Sequence, residues 1–568
     1  MLTRLTLRQH LTTALAVVLA ATGVSLATNA SEQASGAPQQ SAAAAKQAAG
    51  VSHRTVDIQV LNVSDFHGQL DPLNVFGVGD VGGAAALSTY WQRDRAANPN
   101  TLLFTAGDAV GASPPLSSFF DDKPTIDFMN YAGFDADTFG NHNFDKGLDH
   151  LQSQIDRAAF PYVSANLENV EDNLSGVSPF VITKVDGVKV AVIGVTNPEA
   201  PTLVAPGSLG TIEITDPAAA AMKARAQAEE LGAKVFVAIG HLGIEGNDAN
   251  GVPTGPLTTF ASRVDGFDLI LGDHTNIQYK NVINGALVLE NLSKGATYAR
   301  TNLHYDSRKG GTVTATSQFV VPLTSAVTPD PNVVSLLQPY REELSSQLDG
   351  VVGVATGVFP RADNIERIRE VALGDLVADA LRAAYGTQIA FTNGGGLRSS
   401  LPSSSYLPQD TSLRRPSPGY AAGPPYDVVT GDAYSVLPFG NQSLTRTVTG
   451  NQLWAVLERS VGQAPNSFGG FLQISGFRFT YDSSRPAGSR VLSVTLDDGT
   501  TVGRDATTYT ATTNDFTNAG GDGYVELKDG QGTTRNLMAN DLLDYIRAQV
   551  TLTPSTDGRI DDVNRPDA

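Results

Sequence analysis

From about residue 55 to residue 325 the chain alternates short apolar, β-branched runs with glycine-containing polar turns and helix-compatible stretches. VDIQVLNV (56–63), TLLFTA (101–106), VKVAVIGV (188–195), KVFVAIG (234–240) and FDLILG (267–272) are the predicted strands. Between two of them, DPAAAAMKARAQAEELGA (216–233) predicts a helix with Asp216 as its N-cap and a glycine after its end. Strands alternating with helices predict a layered α/β domain. Residues 326–350 open with prolines and continue as an amphipathic helical stretch, which marks a junction. Beyond it, residues 351–552 form a second unit, richer in Gly and Thr, with hairpin signals at DDGT and GGDGY. Residues 553–568 read as a tail.

The first thirty residues do not fit this pattern. Arg4 and Arg8 precede the apolar stretch LTTALAVVLAATGVSLA, followed by small residues, as in a cleaved signal peptide. Residues 31–52, rich in Ala, Gln and Ser, read as a flexible spacer before a domain at 53–325. No later segment is apolar enough to span a bilayer, so the expected location is extracellular, free or associated with the cell wall. The 39 Lys and Arg against 58 Asp and Glu leave a net charge of −19, which disfavours nucleic-acid polymers and anionic membranes as partners. An anionic substrate then has to be held by metals or by a few placed arginines. Cysteine is absent, which excludes thiolate metal sites and disulfides.

The polar clusters fall directly after the apolar runs. They bring Asp65 and His67, then Asp108, then Asn141, His142 and Asp145, then His241, and last His274 and Asn276. In an α/β sheet the carboxyl ends of the strands share one rim, where sites are built. Each cluster alone is an ordinary turn. Together they hold four of the chain's 8 histidines, His67, His142, His241 and His274. Imidazole nitrogen mixed with carboxylate and amide oxygen, without thiolate, suits Zn, Mn, Fe or Co better than Ca or Mg. The donors are too many for one tetrahedral ion and suit two ions about 3.5–4 Å apart, bridged by a carboxylate and by water or hydroxide. Such a pair lowers the pKa of water and clamps phosphoryl oxygens. Asn141 then binds metal, His142 faces the transition state without ligating, and Asp145 fixes the His142 tautomer.

The series DFHG, GD, GNHNFD, GHLG and HTN resembles the calcineurin-like metallophosphoesterases. With the second unit, the chain over roughly 55–550 resembles the secreted bacterial 5′-nucleotidase family. The resemblance implies an α/β fold: an N-terminal four-layer α/β/β/α metallophosphoesterase domain, a helical linker, and a smaller α+β C-terminal substrate-binding domain. It implies two divalent metal ions, Zn, Mn, Co or similar. One would be held by Asp65, His67, Asp108 and either His274 or Asn276, the other by Asp108, Asn141, His241 and His274; the split of the last ligands stays open. It also makes His142 and Asp145 the catalytic dyad.

Motifs of the second unit match the same family. RIREVALGDL supplies Arg367, TNGGGLR supplies Asn393 and Arg398, LPFGN supplies Phe439 and Asn441, and NDFTNAGGDGY supplies Phe516 and Asp522. Two aromatic rings can sandwich a nucleobase, Asp522 suits ribose hydroxyls, and the arginines suit phosphate or sugar oxygens. Three positions depart from the pattern. Asn143 replaces a common acidic residue and receives no role, Asp273 replaces a glycine and adds a carboxylate, and Asp363 stands where some members carry another arginine. Residues 402–427, longer than the family's connection, read as a surface loop. The expected function is release of phosphate from 5′-nucleotides by in-line attack of a metal-bound hydroxide. The alternatives are a 2′,3′-cyclic-nucleotide phosphodiesterase or a nucleoside-diphosphate-sugar pyrophosphatase on the same site, a non-catalytic nucleotide-binding protein, and a cell-wall structural module.

Overall fold

A computed structural model describes residues 54–75, 77–309, 311–361 and 364–565. The expected signal peptide, the spacer and Asp363 lie outside the described residues. His53–Ala568 forms one compact unit.

Two sheets make the centre of the first half. One has four strands, in the order Thr312–Val320, Tyr298–Asp306, Thr55–Asn62 and Thr101–Phe104. The other has six, in the order Tyr279–Ile283, Ala286–Glu290, Leu269–Gly272, Val235–Gly240, Val188–Val195 and Phe180–Val185. Val60 and Phe104 of the first sheet pack against Val192, Val237 and Leu271 of the second in one buried cluster. Their opposite faces are covered by helices. Ala221 and Phe260, from helices Pro217–Glu230 and Pro256–Arg263, pack on the outer side of the six-stranded sheet. Trp91 and Phe128, from helices Ala84–Ala97 and Lys123–Ala132, pack with Leu61 and Leu103 on the outer side of the other. This is the expected four-layer order, and it follows from strands that are apolar on both faces. Asp216 caps its helix as predicted, accepting from the Ala219 N–H at 2.8 Å.

Parallel pairing along Val188–Val195, Val235–Gly240, Leu269–Gly272 and Ala286–Glu290 makes these strands end on one rim. Thr55–Asn62 and Thr101–Phe104 are likewise parallel. The histidine and aspartate turns follow these ends.

Helix Pro331–Leu348 occupies the junction, with Asp330 capping it at the Asn332 N–H. Its Val333, Leu337, Leu344 and Leu348 are buried in the same cluster as Trp91 and Phe128. In the second half a mixed sheet, in the order Leu472–Ser475, Ile389–Asn393, Thr508–Asn514, Gln442–Thr449 and Thr533–Leu537, carries helices Ala372–Tyr385, Gly450–Ser460 and Met538–Gln549.

Three expectations need correction. Residues 402–427 are not a plain surface loop. Arg415, with a side chain 1% exposed, pairs with Asp432 at 2.6 Å, and Tyr406 enters the helix-covered core and donates to Asp349. The stretch read as a tail carries a strand, Ile560–Asp562, parallel to Phe477–Tyr481. Glu370 holds that strand's approach by accepting from the N–H groups of Asp557, Gly558 and Ile560. GGDGY forms no hairpin. It makes a 3₁₀ turn, Gly521–Gly523, with Asp522 at φ 55°. Among the described residues no helix is long and apolar enough to cross a membrane.

Candidate metal centre and nucleotide cleft

The turns after the strand ends are sharp, and several of the predicted ligands sit in the left-handed region that non-glycine residues avoid. Asp65 has φ 41°, His67 47°, Asp108 47°, His274 93° and Asn276 61°. Such strain persists only where the surroundings over-determine it, and it clusters at functional sites. Gly140 shows how tight the centre is: a Cβ there would lie 2.1 Å from Asp108 Oδ1 and 2.8 Å from His241 Cε1.

Backbone groups orient the imidazoles. His67 Nδ1 lies 2.8 Å from the Gly111 carbonyl and His241 Nδ1 lies 3.2 Å from the Ala106 carbonyl. Both rings then donate from Nδ1 and present Nε2 as the bare nitrogen, the tautomer a metal needs. His241 Nε2 is 3.0 Å from Asp108 Oδ2 and 3.0 Å from His274 Nδ1, and His67 Nε2 is 3.6 Å from Asp65 Oδ1. Ligand atoms of Asp108, His241 and His274 lie within 4.8 Å of one another, as do those of Asp65, His241 and Asp273, and those of His67, Asp108 and His142. Two buried amide oxygens, Asn141 Oδ1 and Asn276 Oδ1, have no hydrogen-bond partner. Nitrogen and oxygen donors converge, with orphaned oxygens among them, and this set fits divalent metal.

The electrostatics agree. Burial pushes the Asp108 carboxyl up, but the surrounding His241, His142 and His67 outweigh burial and hold it well below the usual range. Burial lowers His241, yet the Asp108 carboxylate and its hydrogen bond prevail and raise the imidazole to about 9. Burial and the adjacent His241 lower His274 to about 3. Asp273 is pushed well up by burial and by the Asp65 carboxylate beside it.

His142 and Asp145 meet as expected, Nδ1 to Oδ2 at 2.8 Å, and the His142 backbone N–H donates to Asp108 Oδ1 at 2.8 Å. The 3₁₀ turn Asn141–Phe144 places both.

The second half delivers its side chains to the same rim. Arg398 NH2 reaches 3.4 Å from His67 Nε2, and its guanidinium carbon sits 5.6 Å from the Phe439 ring centre. Phe439 stacks on His142, with centroids 5.4 Å apart and planes 19° from parallel. Asn393 donates to Asp522 Oδ2 at 2.9 Å, and burial raises Asp522 to about 6. Arg367 and Arg398 each bury an Nε without a hydrogen-bond partner, with Glu366 Oε1 3.9 Å from that of Arg367. Two predicted contacts differ. Phe439 faces His142 where a base clamp would face Phe516, and Phe516 packs over Gly521. Asn441 donates to Asp515 Oδ1 at 2.8 Å, away from the arginines.

Several residues received no role from sequence. Asn143 Oδ1 accepts from the N–H groups of Gly140 at 2.8 Å and Asp108 at 3.2 Å, so it holds the turn bearing the central carboxylate. Glu290, fully buried, accepts from the N–H groups of Ile244, Thr275 and Ile277, and so fixes the loop of His274 and Asn276. Lys294 and Arg361 stand beside Arg398, and no short motif marks them.

The chain is similar to several known proteins. A family model for the 5′-nucleotidase C-terminal domain matches residues 351–529. The chain is 30% identical over 481 residues to endonuclease YhcR of Bacillus subtilis, covering 81% of this chain and 37% of that protein. It is 26% identical over 560 residues to snake venom 5′-nucleotidase of Gloydius brevicauda, covering 90% and 89%. The structure of a 5′-nucleotidase precursor from Thermus thermophilus superposes with a TM-score of 0.77 at 28% identity, covering 90% of this chain and all of the other. Three of the curated relatives are longer, and the chain spans 37%, 64% and 32% of their lengths. Residues 351–529 thus match the 5′-nucleotidase C-terminal domain, and along most of its length the chain is similar to 5′-nucleotidases in sequence and fold.

Proposed function

We propose that the chain is a metal-dependent hydrolase that releases inorganic phosphate from 5′-nucleotides outside the cell. The observation that carries this reading is the meeting of Arg398, from the nucleotide-side half, with His67 and the His142–Asp145 dyad of the metal-side half. Asp65, His67, Asp108, Asn141, His241, His274 and Asn276 would hold two divalent ions. When bound, these supply Lewis-acid activation of water and neutralise phosphoryl charge.

The chain's own groups do the rest. Arg398 and Arg367 bind phosphoryl oxygens, since each has a buried Nε awaiting an acceptor. Asp145 accepts from His142 Nδ1–H, and in the doubly protonated ring the Nε2–H donates to an oxygen of the phosphoryl group as charge builds on it. Water forms the new P–O bond as the bond to the 5′-oxygen breaks, and that oxygen leaves as the nucleoside hydroxyl. Asp522, held by Asn393, accepts from ribose hydroxyls, and Phe516 with Phe439 offers stacking surface to the base. Phe439 does so after leaving His142.

The extracellular location rests on the apolar N-terminal stretch and on relatives that include a cell wall protein and venom enzymes. A second reading, phosphodiester cleavage on the same centre, is favoured by the relatives YhcR, an endonuclease, and YfkN, a trifunctional nucleotide phosphoesterase. The proposed domain bounds are 53–325, 326–350 and 351–552, with strand Ile560–Asp562 joining the last of these. Phosphate release from AMP, with and without chelator and with a 2′,3′-cyclic nucleotide alongside, tests both readings. Absence of chelator-sensitive release from AMP removes the first.

A further inference from the structure

Three carboxylates meet where the last strand joins the second half. Glu370 stands just before helix Ala372–Tyr385, Asp375 lies in that helix's first turn, and Asp557 lies on the approach to strand Ile560–Asp562. One oxygen from each lies within 4.8 Å of the others. None of the three belongs to the candidate metal centre described above. Asp375 is the informative member. It is 4% exposed, and neither of its carboxylate oxygens has a hydrogen-bond partner. An aspartate early in a helix ordinarily accepts from the free N–H groups there or faces water, and this one does neither. A buried carboxylate without donors is costly unless a cation meets it.

The arginine beside it is already committed. Arg559 Nε lies 3.8 Å from Asp375 Oδ1, too far for a hydrogen bond. That Nε donates to Asp557 Oδ1 at 2.8 Å, and the two terminal nitrogens donate to Asp379 at 2.7 and 2.9 Å. Arg478 donates to the Asp557 carbonyl at 2.9 Å, and its guanidinium lies 3.8 Å from Asp557 Oδ2. Among the described residues no lysine or arginine forms an ion pair with Glu370. Four carboxylates thus face two arginines, and the excess charge sits at Asp375 and Glu370. Burial, with the Glu370 and Asp557 carboxylates, outweighs Arg559 and pushes the Asp375 carboxyl up to about 8. Without a further cation it would hold a proton.

We propose that Glu370, Asp375 and Asp557 bind a divalent cation, calcium by the chemistry of the donors, which ties the last strand to helix Ala372–Tyr385. All three donors are carboxylate oxygens, and separations up to 4.8 Å suit oxygens that surround one calcium ion at about 2.3–2.6 Å. Calcium tolerates the irregular geometry of a site with a loop on one side, whereas magnesium demands a near-ideal octahedron. Glu370 would then act twice, ligating the ion and accepting the N–H groups of Asp557, Gly558 and Ile560. The inference stands apart from the nucleotide reading.

Calcium chloride titrated calorimetrically into the full chain tests it, after the candidate metal centre has been saturated with manganese. The natural chain should take up one further ion with a Kd of about 0.1–1 mM, the range of extracellular calcium modules. Uptake should release about one proton near pH 7, read by repeating the titration in two buffers. Asp375→Asn should weaken calcium at least about tenfold and abolish the proton release. Asp557→Asn, on the exposed loop, should also weaken it and keeps the test decisive if Asp375→Asn does not fold. Amide hydrogen exchange across residues 557–562 should slow with calcium in the natural chain and in neither variant. No further calcium in the natural chain, or unchanged affinity in Asp557→Asn or a folded Asp375→Asn, overturns the proposal. So does an Asp375→Asn chain of higher Tm with calcium inert in both, since Asp375 and Glu370 would then share only a proton.

Discussion

The metal-side turns and the nucleotide-side loops face each other across one cleft, but they are held by different means. On the metal side, His67 and His241 each spend one ring nitrogen on a backbone carbonyl, Asp108 is locked by Asn143 and the His142 N–H, and Glu290 fixes the His274 loop. On that side the polar groups are held by protein partners. On the nucleotide side, Arg367 and Arg398 carry unpartnered nitrogens, Lys294 leans across from the other half, and Phe439 rests on His142. On the reading proposed above, one side is preorganised for charge that develops in a reaction, and the other offers donors to an anion. Substitutions on the first should therefore act on turnover for every substrate, and those on the second on which substrate binds.

The strongest test of that division is Asp108→Asn. It should remove hydrolysis of nucleotides and of p-nitrophenyl phosphate alike, by more than about 10²-fold, and lower bound metal. Near-natural activity with full metal content, read by elemental analysis, would break the comparison. Next, His142→Asn should slow kcat by about 10²–10⁴-fold with both metals retained and KM little changed. Asp145→Asn should show a smaller loss of the same kind. Loss of a metal ion in His142→Asn would move His142 among the ligands, in line with its place beside His67 and Asp108.

On the other side, Phe516→Ala should cost about 1–3 kcal/mol of nucleotide binding and spare p-nitrophenyl phosphate. Equal loss on both substrates would make the ring part of the core. The smallest effect concerns Asp522. Its carboxyl, raised by burial to about 6, accepts from hydroxyls when charged and loses that capacity as pH falls through 6. Inhibition by adenosine, which has no phosphate to titrate, should weaken several-fold between pH 7 and pH 5. Asp522→Asn should flatten that profile.

The convergence of the candidate metal ligands was legible in sequence because each follows an apolar run within a few residues, so local pattern and candidate site coincide. Asn143 and Glu290 were not, although they brace the same turns. Their work is done through backbone N–H groups, and in Glu290 the partners include Ile244, 46 positions away. Lys294 and Arg361 are legible only through the fold, since Lys294 meets Arg398 across 104 positions. The stretch 402–427 misled for the opposite reason. Its Pro, Gly and Ser content speaks for exposure, while Arg415 and Tyr406 carry it inward through partners at Asp432 and Asp349. A single buried ion pair can override composition.

Helix Pro331–Leu348 bears on how this molecule can be cut or recombined. It reads as a tether between two parts, yet Asp330 at its start accepts from Ser88, Gln92 and Tyr131, and Val333, Leu337, Leu344 and Leu348 lie in the first half's core. A fragment ended at residue 325 would lose these side chains, each worth roughly 1.5–3 kcal/mol when buried. It would also leave their seats open to water. Inherited or engineered exchange of the second half would therefore best break after residue 349, where Asp349 caps the helix and strand Val351–Ala355 follows. Even there, the exchanged piece has to bring its own Tyr406, which sits in the same core and reaches back to Asp349.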